Sequence, residues 1–128
     1  MNLAIDYDGT LFEGMYPHKG RPIIPVILKT KAFMEAGAET ILWTCREGDA
    51  LEEAIKRCKD FGLTFLAINE ITPSQHEWNR QNGRFGKQRF AQRKVYADLY
   101  VDDKSPGSIE YFLKSDVMEL IKKYQKHA

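Results

Sequence analysis

The sequence predicts an α/β fold, a three-layer, doubly wound, mainly parallel sheet. Three observations carry this. Short apolar strand segments alternate with longer segments of helical period, the turns between them are short, and polar residues with chemical potential recur where the strand segments end. Strand, helix, strand, helix, strand in that order reads as right-handed βαβ units.

The opening stretch, Leu3-Ala4-Ile5-Asp6-Tyr7-Asp8-Gly9-Thr10, is a buried-type strand running into two aspartates and a glycine. Alternate residues of an extended strand share a face, so Asp6 and Asp8 are expected to point the same way, with Gly9 turning the chain just beyond them. Like charges so close call for a cation or a shared proton.

Phe12 to Arg21 is a loop with Gly14, Pro17 and Gly20, and Pro25 then suits the first turn of a helix. Val26, Thr30 and Phe33 line its inner stripe with Ile27 and Met34 beside it, and Gly37 stops it. Glu39 to Thr44 is the second strand. Gly48-Asp49 is expected to cap the second helix, in which Leu51, Ile55, Cys58 and Phe61 recur at helical spacing until Gly62. Phe65 to Asn69 is the third strand.

From Glu70 to Arg93 the pattern breaks, with partial helix and a concentration of Arg80, Arg84, Lys87, Arg89 and Arg93, interleaved with Trp78 and Phe85. Asp98 to Asp103 is a fourth strand ending in two acids. Ile109 to Leu113 is expected as a short edge strand. Ser115-Asp116 caps a last helix with Val117, Leu120, Ile121 and Tyr124 inward.

Length and composition narrow the field. The 128 residues support one domain, 1–128, with a single core. A net charge of +1 gives no general argument for nucleic acid, so any basic surface must be local. No apolar run approaches the roughly 20 residues of a membrane span, and no membrane partner is expected. Met1 to Asp6 lacks the basic and apolar regions of a signal peptide. Cys45 and Cys58 match no disulfide framework or metal spacing. A cytoplasmic enzyme with reduced thiols is the expectation, with Cys58 in the core, Cys45 a small buried neighbour of the site, and His18, His76 and His127 on the surface.

In an open α/β sheet, ligands bind outside the carboxyl ends of the strands. There the first strand delivers Asp6 and Asp8, the second Thr44 with Arg46 beyond it, and the third Asn69 and Glu70. The fourth delivers Asp102 and Asp103, with Lys94 just before it. A hydroxyl, a lysine and several carboxylates on one edge suit Mg²⁺ holding a phosphoryl group, because Mg²⁺ takes carboxylate oxygens together with substrate phosphate and water.

Asp-Tyr-Asp-Gly-Thr, the strand Ile-Leu-Trp-Thr, a later lysine and the terminal Asp-Asp pair together resemble the four motifs of the haloacid dehalogenase (HAD) superfamily of phosphatases. They stand in that family's order and span nearly the whole chain. Ala97 to Asp103 is also similar to the deoxyribonucleotidase branch, and Trp43 to Glu47 is similar to small bacterial and phage members. The resemblance implies a Rossmann-like HAD core and an aspartyl-phosphate mechanism. It makes Asp6 the nucleophile. Asp8 becomes the general acid and base, with its backbone carbonyl on Mg²⁺. Thr44 and Lys94 become phosphate contacts. Arg46, from its place just beyond Thr44, is either a phosphate contact or part of a surface ion pair. Asp6, Asp8, Asp102 and Asp103 form the metal set. Spacing does not separate Lys94 from Lys87 or Arg93 as the phosphate-neutralising cation. Nor does it decide which of Asp102 and Asp103 ligates directly, although the outer Asp103 is preferred.

Family members often carry a cap domain after the first or third strand. Here those slots hold Phe12 to Arg21 and Glu70 to Arg93, both too short, so the resemblance is to the capless type. An open site admits a large phosphorylated substrate or is closed by a second subunit of a homo-oligomer. The basic second slot suits nucleotide or polynucleotide phosphate by charge and stacking, and a sugar phosphate or other small phosphorylated metabolite nearly as well. Two other classes share parts of the pattern. A phospho-accepting receiver needs its acceptor aspartate at the end of the third strand, where this chain has Asn69. A non-catalytic binding domain would keep the metal and turn over nothing.

Overall fold

The computed structural model describes residues 1–14, 20–83 and 94–125. Its elements are β1 (Asn2–Asp6), α1 (Ile24–Glu35), β2 (Glu39–Trp43), α2 (Gly48–Asp60), β3 (Ala67–Ile68), α3 (Pro73–Gln81), β4 (Leu99–Val101), α4 (Ser108–Lys114) and α5 (Val117–Lys123). The strands form one sheet in the order β3-β2-β1-β4, and every pairing is parallel. The α/β, doubly wound, Rossmann-like arrangement is therefore observed.

Alternation along the strands splits the core in two. Leu3, Ile5, Leu42 and Val101 face one side, where they pack with Val26, Ile27 and Phe33 of α1, Ala54 and Cys58 of α2, Phe112 of α4 and Leu120 of α5. Ala4, Ile41 and Ala67 face the other side and meet Ile71, Val95 and Ala97 of the crossover from β3 to β4. These are the two outer layers of the three. Thr30, buried inside α1, satisfies its hydroxyl on the Val26 carbonyl at 2.8 Å, which lets a polar residue sit on the apolar stripe.

After β3 the crossover doubles back. Asn69 adopts φ 55°, Ile71 covers the second face, and the Thr72 hydroxyl donates to Asn2 Oδ1 at 2.7 Å. That bond pins the start of α3 at the amino edge of the sheet. Thr72 also caps α3, and Pro73 occupies its first turn.

Several expected elements change. Ile109–Leu113 is not an edge strand but lies inside α4. Ile109, Phe112 and Leu113 are three and four apart and pack on the core together, a helical spacing. Gly107, at φ 82°, closes the preceding turn and starts that helix. The N-cap of α2 is Glu47 rather than Gly48-Asp49, and no side chain caps it, although Asp49 stands in the first turn where its charge complements the helix dipole. The third strand contracts to Ala67–Ile68, with Leu66 exposed. Cys45 is exposed rather than buried, whereas Cys58 is in the core, where burial pushes its thiol up to about 12. His76 is exposed, and His18 and His127 lie outside the described residues. Asp116 caps α5 as expected, accepting from the Glu119 N–H at 2.9 Å.

Of the basic second slot, Arg80 is described and pairs with Glu77 on the surface. Arg84, Phe85, Lys87, Arg89 and Arg93 lie outside the described residues. Among the described residues neither slot carries a further domain, and no helix is long and apolar enough to cross a membrane.

Candidate metal and phosphate site

The strand order reverses direction at β1, because β2 lies on one side of it and β4 on the other. The carboxyl ends of β1 and β4 flank that switch point, the place where doubly wound sheets bind ligands. Asp6 ends β1, and Asp102 and Asp103 follow β4. Their carboxylate oxygens lie within 4.8 Å of one another.

Two small devices hold these acids together. The Thr10 hydroxyl donates to Asp6 Oδ2 at 3.0 Å and accepts the Asp103 N–H at 3.0 Å, so one buried side chain ties the two strand ends. Gly9, at φ 82°, passes directly under Asp103. A Cβ on Gly9 would lie 2.7 Å from Asp103 Cγ and closer still to Oδ2. Gly9→Ala is therefore expected to displace the Asp103 carboxylate and, where the acids take up a divalent ion, to weaken that uptake by about ten-fold or more. The left-handed backbone would cost about 1–2 kcal/mol of stability. Isothermal titration with Mg²⁺ and a thermal melt check the two parts separately.

Asp102 is fixed differently. Its N–H donates to Ser108 Oγ at 3.2 Å, Ser108 Oγ donates to the Tyr100 carbonyl at 2.8 Å, and Asp102 Oδ1 accepts the Lys104 N–H at 2.9 Å. The start of α4 thus braces the acid loop after β4. The electrostatics follow from the crowding. Burial first, then the neighbouring Asp102 charge, and Asp103 as well, push the Asp6 carboxyl up to about 7, against the lowering effect of the Thr10 bond.

Asp8 departs from the expected arrangement. Strand alternation ends at Asp6, and the Asp8 carboxylate is not part of the acid trio. Arg46 grips it instead, with Nε on Oδ2 at 2.9 Å and NH2 on Oδ1 at 2.7 Å. The Arg46 side chain is 5% exposed and that of Asp8 24%, and the guanidinium lies 4.8 Å from the centre of the Tyr7 ring. Arg46 is therefore in a largely buried ion pair rather than the surface pair weighed from sequence.

Thr44 stands one residue beyond Trp43, the register partner of Asp6, so it reaches the same edge on the neighbouring strand. Its Oγ1 accepts the Arg46 N–H at 3.1 Å. Lys94 Nζ lies 5.6 Å from the centre of the Tyr100 ring. Lys94 therefore rests on an aromatic ring of β4 rather than on a carboxylate. Its rivals Lys87 and Arg93 lie outside the described residues. Lys104, which sequence reasoning passed over, places Nζ 3.9 Å from Asp103 Oδ2. Its signal was its position directly after the acid pair. Thr10 and Ser108 were also missed. Thr10 stood within the first motif, but nothing in the spacing showed that it bridges to Asp103.

The acids fit a hard divalent cation. All the donors are carboxylate oxygens, with no thiol or imidazole among them, and Asp6 is crowded by negative charge that a cation would relieve.

Fold and edge together define a doubly wound α/β protein with an acidic centre at its switch point. No family model matches the chain, and no curated protein matches it. Among solved structures it is similar to a conserved protein coded by a locus of Bacteroides thetaiotaomicron, with 33% identity and a TM-score of 0.68 over 99% of this chain and 93% of that one. The chain belongs to the same family as that Bacteroides protein.

Proposed function

We propose that this protein is a Mg²⁺-dependent phosphomonoesterase of the capless HAD type, working through an aspartyl-phosphate on Asp6. The observation that carries the reading is the meeting of Asp6, Asp102 and Asp103 across the switch point. Asp6, Asp102 and Asp103 would hold the metal by their side chains, with the Asp8 carbonyl as the further ligand the resemblance implies. When bound, Mg²⁺ neutralises the acids and the substrate's phosphate charge.

The chain's own residues divide the remaining work. Thr10 occupies Asp6 Oδ2, which leaves the other oxygen to attack phosphorus. Thr44 accepts a hydrogen bond from Arg46 N–H, so its own hydroxyl proton is available for a phosphoryl oxygen. The planar fork of Arg46 fits a phosphoryl group as well as a carboxylate. An arriving phosphate competes for it, and Asp8, once released and protonated from solvent, would give that proton to the leaving oxygen and then take one from the attacking water. Lys94 or Lys104 neutralises the remaining charge. Positioning and charge compensation are what phosphoryl transfer chiefly requires.

The test is a phosphate-release screen over nucleotides, 3′- and 5′-phosphorylated oligonucleotides and sugar phosphates, with Mg²⁺ and with a chelator. Release from at least one class, abolished by chelation, is expected. No release from any class, with Mg²⁺ still bound, would favour the non-catalytic binding domain instead. Activity confined to sugar phosphates would remove the nucleotide reading drawn from the basic slot.

A further inference from the structure

We infer that Asn69 is a positioning residue that clamps Thr44 and thereby aims its hydroxyl into the phosphate site. This rests on the phosphatase reading above for the use of the hydroxyl, but the clamp itself is a matter of geometry.

β3 ends at Ile68, paired with Leu42 of β2. The next N–H, that of Asn69, still donates to the Leu42 carbonyl at 2.9 Å. The backbone then turns away at φ 55°, so it cannot continue the ladder. The side chain continues it instead. Asn69 Oδ1 accepts the Thr44 N–H at 2.8 Å, and Asn69 Nδ2 donates to the Thr44 carbonyl at 2.7 Å. A carboxamide presents one acceptor and one donor side by side, as a further strand residue would. Asparagine is also among the few non-glycine residues that enter the left-handed region readily. The position uses both properties.

The consequence falls on Thr44. Both main-chain polar groups of Thr44 are taken by Asn69, and its hydroxyl oxygen accepts from Arg46 N–H. Backbone and oxygen are fixed, and the hydroxyl proton is left to donate. Asn69 is exposed, so this bond pair is not a by-product of core packing.

Asn69→Gly removes the clamp while tolerating the backbone angle. Amide hydrogen exchange of Thr44 is expected to speed up by roughly ten-fold or more, since its N–H loses its partner, while that of Asn69's own main-chain N–H to Leu42 holds. The kcat/KM for p-nitrophenyl phosphate with Mg²⁺ is expected to fall by about ten-fold, in line with the loss of a positioned contact. Repeated in a Thr44→Val background, the substitution is expected to add nothing, because Asn69 acts through that hydroxyl. Asn69→Asp, which keeps the acceptor but sets oxygen against the Thr44 carbonyl, should not rescue kcat/KM. Unchanged exchange at Thr44 overturns the clamp whatever the turnover. Faster exchange with unchanged kcat/KM, or an equal loss in the Thr44→Val background, overturns its part in the site. A wild-type protein that hydrolyses no phosphate ester removes the phosphatase reading, and the exchange result then decides the clamp alone.

Discussion

Asp6→Asn is expected to abolish phosphate release, by at least about 10³-fold, and at the same time to raise the thermal midpoint measured at pH 8 without divalent cation. The loss follows because an amide cannot act as the nucleophile. The gain in stability follows from the crowded acids. Burial, with Asp102 and Asp103, pushes the folded-state carboxyl of Asp6 from its ordinary 3.8 up to about 7. Between those values the folded protein holds a proton that the unfolded chain releases. Without metal, this residue's contribution therefore falls as pH rises from about 4 to about 7, and above that the carboxylate sits charged where charge is disfavoured. The amide carries no such penalty and can still accept the Thr10 hydroxyl. Melting curves at pH 5 and pH 8 check this. Wild type should lose more than the variant between the two, and Mg²⁺ should recover the difference. Equal pH slopes, or p-nitrophenyl phosphate hydrolysis by the variant at the wild-type rate, would sink the assignment.

Arg46→Met is expected to destabilise the fold by roughly 2–3 kcal/mol. The value lies below the full penalty for splitting a wholly buried pair, because Asp8 retains some solvent. Its carboxylate is 24% exposed. The lost stacking on Tyr7 adds to the effect. Arg46→Lys should recover little, since an ammonium cannot make both contacts of the fork. Urea titrations of Arg46→Met, of Asp8→Asn and of the two combined give the coupling of the pair. A methionine variant as stable as wild type would show that the ion pair contributes nothing. In turnover, both variants should lose kcat/KM, because the same guanidinium is read as the phosphate's partner once Asp8 is released.

The fold was legible because strand and helix periods are local properties. Leu3 to Asp6, Ile41 to Trp43 and the stripe of Val26, Thr30 and Phe33 announce themselves, and their parallel order follows from the short turns between them. Ile109–Leu113 was misjudged because five residues are too few to separate alternation from helical spacing without knowing that Gly107 starts a helix. At the site, Asp6, Asp102 and Asp103 could be anticipated from strand ends alone, and the structure brings them together. The orientation of Asp8 could not. Alternation holds only while the chain stays extended, and β1 stops at Asp6, so the second aspartate turns to Arg46, 38 residues away. The Thr10 bridge and the Asn69 clamp were illegible for a related reason. Each joins a side chain to the main chain of another strand end, and main-chain partners leave no mark on residue type.

The central place of β1 also bears on how the protein is made. Its outer neighbour β4 is synthesised after β2 and β3, and the Thr10–Asp103 contact spans 93 residues. A nascent chain that has emerged only as far as β3 can pair β1 with β2, yet it holds Asp6 without its two acidic companions. On the proposed reading, the three acids that would hold the metal come together only when β4 docks on the open side of β1. A chain that stops short of β4 would be left with a bare edge on β1 and, on the proposed reading, no site for the metal.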